Sequence, residues 1–224
     1  MQNNARLIHL GPSKAPVVYL LSDGPGEDGA LCSALSGRAY SLVSVAVPDW
    51  NADLSPWPAP RAFPKGEDFG GRSGAFLRDL LQKALPEAEA SLGFSPGIRL
   101  LAGYSLAGLF ALYALTKTDR FNGIASVSGS LWYDGFLEFF EQALPGLSPR
   151  PVYLSLGDRE ARTKNARLAQ VLSCTQRAHS LLLQAGFPSV FQLNPGNHFV
   201  DFAPRMARAV SWLLDQAGSQ VQGA

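Results

Sequence analysis

Ser105 sits in the hexapeptide Gly103-Tyr104-Ser105-Leu106-Ala107-Gly108, directly after the apolar run IRLL and directly before LFALYAL. A serine flanked by glycines, between a strand-like run and a helical run, reads as a nucleophile elbow of the G-x-S-x-G type. Such a chain turns sharply from strand into helix while the serine holds a strained conformation with its Oγ exposed. The residues on either side then crowd together, which is why glycines are expected there. Leu106 would open the helix, so its backbone N–H, at the positive end of the helix dipole, is suited to donate to an oxyanion. The chemistry predicted is attack by a serine hydroxyl on an acyl carbon. The competing reading is a tight structural turn.

A serine hydroxyl attacks only when a base takes its proton, and the chain has three histidines. His9 falls in the first strand-like run and reads as structural. His179 falls inside a long helical pattern. His198 lies in NPGNHFVDF, a loop between the last strand pattern and the last helix, and is the preferred base. Nucleophile elbows of this kind order their partners serine, acid, histidine along the chain, so the acid is sought between Ser105 and His198. PVYLSLGDRE offers two carboxylates at a strand end, Asp158 and Glu160. Glu160 is preferred, because its longer side chain stands farther along the loop. Asp158 remains the alternative, and either one could simply pair with Arg159 or Arg162.

These residues need a scaffold that brings three distant loops together. RLIHL, PVVYLLS, YSLVSVAV, IRLLAGY, FNGIASVSG, PVYLSLG and SVFQLN read as strands, several of them apolar throughout, as buried parallel strands are. Helical patterns at about 27–37, 73–92, 106–117, 133–143, 163–185 and 203–216 alternate with them. Leu77, Leu80, Leu81, Ala84 and Leu85 repeat at helical spacing, as do Met206, Val210, Leu213 and Leu214. This alternation predicts one α/β domain over 1–224, a mostly parallel central sheet with helices on both faces, and a frayed tail at 215–224. Residues 48–74 break the rhythm with five prolines and the aromatic residues Trp50, Trp57, Phe63 and Phe69. So long a loop is functional or disordered. Its aromatics favour an ordered loop that covers the site from the carboxyl end of the sheet, with Trp50 and Trp57 touching substrate.

The 224 residues are 46% hydrophobic and 17% charged, with a net charge of +1. Nothing there suggests nucleic acid or an anionic membrane as partner. No run approaches a membrane span, and the N-terminus lacks the pattern of a signal peptide. Cys32 and Cys174 are far apart and fit no metal spacing, so both are expected to be free thiols in a reducing cytoplasm. Arg61, Lys65, Arg72, Arg159 and Arg162 would meet an anionic group or be solvated surface charge.

Six blocks, PVVYLLSDG, FGGRSGAFLRDLL, GYSLAGLFALYAL, VSGSLWYD, SLGDREARTKN and GNHF, occur in the order found in one esterase family of the α/β-hydrolases. The chain resembles the esterase D-like and enterochelin esterase-like serine hydrolases over about residues 15–216. The resemblance implies an α/β-hydrolase fold and cleavage of a small-molecule carboxylic ester without metal or organic cofactor. It assigns Ser105 as nucleophile, Glu160 as acid and His198 as base, and it brings Trp132 to the pocket wall. In these relatives the residue after the DG pair supplies the second oxyanion N–H. Here that residue is Pro25, which has none, so Gly24 or Gly26 is expected to supply it. An acyltransferase using the same residues, or a non-catalytic binding protein on this scaffold, are the alternatives.

Overall fold

The computed structural model describes residues 5–22 and 26–222, with side chains as far as Gly218. The strands are β1 (Ala5–His9), β2 (Val17–Ser22), β3 (Ser41–Ala46), β4 (Pro58–Ala59), β5 (Phe69–Gly70), β6 (Arg99–Tyr104), β7 (Gly123–Val127), β8 (Val152–Gly157) and β9 (Ser189–Asn194). The helices are α1 (Gly26–Ala34), α2 (Trp50–Asp53), α3 (Ser73–Asp79), α4 (Leu85–Ala90), α5 (Leu106–Lys117), α6 (Phe136–Ala143), α7 (Val171–Gln184) and α8 (Phe202–Gln222).

Seven of the described strands form one sheet in the order β1-β3-β2-β6-β7-β8-β9, and β4 and β5 form a separate two-stranded one. Every neighbouring pair in the larger sheet is parallel except β1 and β3. Side-chain alternation explains the apolar runs. On β2, Val17, Tyr19 and Leu21 face one core while Val18 and Leu20 face the other. The first core is closed by α3 through α7, with Phe76, Phe110, Phe136 and Leu182 among its contacts. The second is closed by α1 and α8 through Leu31, Met206, Val210 and Leu213. The helix α5 is apolar nearly all round because it lies buried in the first core. Because β6, β7, β8 and β9 are consecutive parallel neighbours, the turns after them gather at one end of the sheet.

Three of the differences from the sequence reading are instructive. The helix expected over 73–92 is interrupted by a π-helical turn at Leu80–Ala84, where Leu85 N–H bonds back to Leu80 C=O. Pro86 follows at once; it has no N–H and would clash with the carbonyl four residues earlier, so the helix widens ahead of it. The segment 163–167 is not helical. Asn165 Oδ1 accepts the N–H groups of Arg167 and Leu168 at 3.0 and 3.4 Å, and its C=O accepts Ala169 N–H at 2.9 Å, so it acts as a cap and the helical turns begin only after it. The last helix continues to Gln222, past the expected end at 216 and through most of the tail read as frayed.

Candidate active site

The turn between β6 and α5 carries Ser105 at φ 59° and ψ −122°, a strained backbone for a residue with a side chain. The strain is held by hydrogen bonds on both sides of the residue. Ser105 N–H donates to Val127 C=O at 3.0 Å, and Ser105 C=O accepts from Ser130 N–H at 3.0 Å and Gly108 N–H at 3.0 Å. A Cβ on Gly103 would lie 2.2 Å from Ala107 C=O, so glycine is required there. The other flank corrects the sequence reading. Two residues after the serine stands Ala107, and the second glycine is Gly108, three residues after. Gly108 serves packing instead: a Cβ there would meet Ser126 Oγ at 2.9 Å and Gly129 Cα at 3.0 Å. Leu106 is the first residue of α5, so its N–H belongs to the helix turn that has no intrahelical acceptor.

The loop after β9 brings His198 to this serine. His198 Nε2 lies 3.1 Å from Ser105 Oγ, and Nδ1 lies 2.7 Å from Glu160 Oε2. The Tyr104 hydroxyl donates to the His198 carbonyl at 2.7 Å, which ties the histidine loop to the strand end beside Ser105. Glu160 is buried, its side chain 3% exposed. Its Oε1 accepts from Gly157 N–H at 2.6 Å and Ser128 Oγ at 2.7 Å, and lies 3.2 Å from Arg205 Nη1. Burial alone would raise the proton affinity of this carboxyl. The His198 hydrogen bond and charge, the Ser128 hydroxyl and the Gly157 N–H outweigh it and hold the group below the usual glutamate range. Asp158 points elsewhere: its Oδ1 accepts Gly196 N–H at 2.8 Å.

The family described as "Putative esterase" matches residues 10–213. The chain belongs to this esterase family. It is an ester-hydrolysing enzyme. A Bacillus subtilis (strain 168) relative, the uncharacterized protein YbbA, is 28% identical over 186 residues, which cover 79% of this chain and 74% of that one. Among solved structures, an IroE-like serine hydrolase from Shewanella oneidensis superposes with a TM-score of 0.80 at 17% identity, over 94% of this chain and 79% of the other. Siderophore hydrolase EstA from Aspergillus nidulans gives 0.73 at 19% identity, over 95% of both chains. At these identities the structures establish the shared α/β-hydrolase fold.

In this esterase Ser105 and His198 open into a cavity of about 440 Å³. Trp50, Phe69 and Trp132 line it, with Phe63 and Phe199 at 56% and 88% exposure. The segment 48–74 is therefore ordered and covers the site. Asp49 caps α2 by accepting Ala52 N–H at 3.0 Å, and β4 pairs with β5. Two anchors tie the segment to the body: Asn165 Nδ2 donates to Ala62 C=O at 2.5 Å and Arg167 Nη1 to Pro60 C=O at 2.8 Å.

Trp57, expected to touch substrate, does not line this cavity. Its ring stands edge-on to Tyr133 and Phe139, and its indole N–H donates to Asp134 C=O at 3.0 Å. It fastens the covering segment to the turn before α6. Trp50 and Trp132 stand on the cavity wall. Arg159 and Arg162 also reach the wall, whereas Arg72 pairs with Asp49 and Asp53. Gly24 and Pro25, the expected second oxyanion segment, lie outside the described residues; Gly26 is the first residue of α1.

Sequence reasoning missed Ser128 and Arg205, whereas Ser130 lies in the GSLWYD stretch that the resemblance brings to the pocket wall with Trp132. Ser128 has φ 48°, and Ser130 Oγ lies 3.5 Å from Ser105 Oγ. Arg205 is fully buried beside Glu160. A signal existed for the arginine: it stands four and eight residues before Ala209 and Leu213, on the apolar stripe of α8. Cys32 and Cys174 are free thiols. Among the described residues no helix is long and apolar enough to cross a membrane.

Proposed function

We propose that this esterase cleaves a small-molecule carboxylic ester through an acyl-enzyme on Ser105. The reading rests above all on the unbroken relay from Ser105 Oγ to His198 Nε2 and from His198 Nδ1 to Glu160 Oε2, at 3.1 and 2.7 Å. His198 takes the serine proton as Oγ attacks the ester carbonyl. Glu160 fixes the imidazole tautomer and stabilises the imidazolium that forms. Leu106 N–H stabilises the oxyanion, a donor of a kind that contributes about 3 kcal/mol to the transition state. Gly24 is the candidate for the second donor. His198 returns its proton to the leaving alcohol, then activates water for the second half-reaction. Trp50 and Trp132 give the acyl or alcohol part an aromatic wall. The siderophore hydrolases among the structural neighbours make siderophore esters one class for a substrate panel. The two free thiols support a reducing, cytoplasmic setting.

The test is labelling by a fluorophosphonate, read by intact mass, together with turnover of p-nitrophenyl acetate. A single adduct on wild type, absent from a folded Ser105→Ala variant that has also lost turnover, is the expected result. Retained turnover in that variant would put the chemistry on another residue. Added alcohols distinguish acyl transfer, because they would divert the acyl group from water.

A further inference from the structure

Arg205 carries a permanent charge yet is fully buried. Its Nη1 lies 3.2 Å from Glu160 Oε1 and 3.3 Å from both the Tyr104 hydroxyl and Ser128 Oγ. Its Nη2 donates to Pro195 C=O at 2.8 Å. One guanidinium thus meets the strand end before Ser105, the turn after β7, the acid, and the loop that carries His198. Two glycines leave it room. A Cβ on Gly157 would lie 2.9 Å from Nη2, and one on Gly196 would lie 3.2 Å from it.

We propose that Arg205 is a positioning residue that keeps Glu160 ionised and correctly aimed while His198 is neutral. The proposal rests on the reading of His198 as the base. A general base must be unprotonated before it acts. At that moment the buried Glu160 carboxylate has no counter-charge from the imidazole. An isolated buried carboxylate is costly and draws a proton into its surroundings. The imidazole in contact with it is the natural holder, so without a second cation His198 would stay protonated to higher pH. Arg205 supplies that cation at every stage, since guanidinium does not titrate. It also divides the carboxylate. Oε1 is occupied by Arg205, Ser128 and Gly157, which leaves Oε2 for His198.

The other charged and titratable groups around the pair have different tasks. Tyr104 on β6 donates to the His198 carbonyl. Asp158 accepts from Gly196, and Arg159 in the same loop lies 3.8 Å from Asp158. Arg162 faces the cavity, and Arg208, farther along α8, donates to Asn194.

The experiment is an NMR titration of the imidazoles in wild type, Arg205→Met, Arg205→Gln and Arg205→Lys. The chain has three histidines, so His9 and His179 are internal controls. In Met and Gln variants the His198 midpoint should rise by about one pH unit. The acid limb of kcat/KM on p-nitrophenyl acetate should move with it, and Lys should recover most of the shift. Gln keeps a neutral donor in place, so it serves if Met does not fold. A folded neutral variant with a lower Tm but an unmoved His198 midpoint would make Arg205 a structural strut and overturn the proposal. The titration needs no turnover, so a failure of the esterase reading, seen as an active Ser105→Ala variant, remains separate from a failure here.

Discussion

Asp158 Oδ1 accepts the backbone N–H of Gly196 at 2.8 Å, two residues before His198. The same strand end thus carries one carboxylate that holds the histidine loop and another, Glu160, that holds the histidine ring. Glu160→Gln is expected to lower kcat by about 10²–10⁴-fold, because the amide can favour the wrong imidazole tautomer. Asp158→Asn should leave kcat within several-fold and cost about 1 kcal/mol through a weakened bond to Gly196. Measuring kcat and thermal midpoint for both variants separates the roles. The reverse pattern would make Asp158 the acid.

The Glu160 carboxyl titrates below its ordinary value of 4.5 in the folded protein. A depressed folded value means stability that is fully present above the unfolded value and lost as pH falls through the folded one. The part of the stability difference between wild type and Glu160→Gln that comes from this ionisation should therefore shrink as pH drops below the ordinary glutamate value. Urea unfolding midpoints from pH 6 to pH 3 read this directly. A gap that widens on acidification would contradict the lowered titration.

Gly103→Ala would place a methyl 2.2 Å from the Ala107 carbonyl, a backbone atom that cannot swing aside. The expected cost is about 3 kcal/mol or more, with lost turnover because the Ser105 turn must open. Ala107→Gly, by contrast, should cost only about 1 kcal/mol, the ordinary penalty of glycine in a helix. Chemical denaturation of the two variants tests whether the crowding sits on the Gly103 side.

Trp50 and Trp57 should separate cleanly. Trp50→Ala removes a cavity wall and should raise KM for bulky esters several-fold while kcat on acetate stays near wild type. Trp57→Ala removes two edge-on aromatic contacts and a hydrogen bond outside the cavity. It should cost about 2–4 kcal/mol and loosen the covering segment. Amide exchange over residues 48–74 and steady-state kinetics distinguish the two outcomes.

Much of this protein is written locally and was therefore legible in the chain. The seven main strands follow from apolar runs, and α8 follows from the helical spacing of Met206, Val210, Leu213 and Leu214, because burial on both faces of a sheet and helical spacing act within a few residues. Ser105, Glu160 and His198 each follow a strand of the parallel part of the sheet, and the structure brings these three loops together. Local chemistry misled where a neighbour in sequence overrode the period: Pro86 forced the π-helical turn, and the Asn165 cap delayed the helix expected from 163. Other features depend on atoms far apart in the chain. Trp57 looked like a substrate contact until Tyr133, Phe139 and Asp134 enclosed it from residues more than seventy positions away. Arg205 stands on the apolar stripe of α8, which marks it for burial, but only the docking of α8 beneath the β8 and β9 loops turned it toward Glu160. Whether a charge is solvated or buried against a carboxylate depends on which surfaces meet. That is set by the packing of whole elements, not by the residues beside it in the sequence.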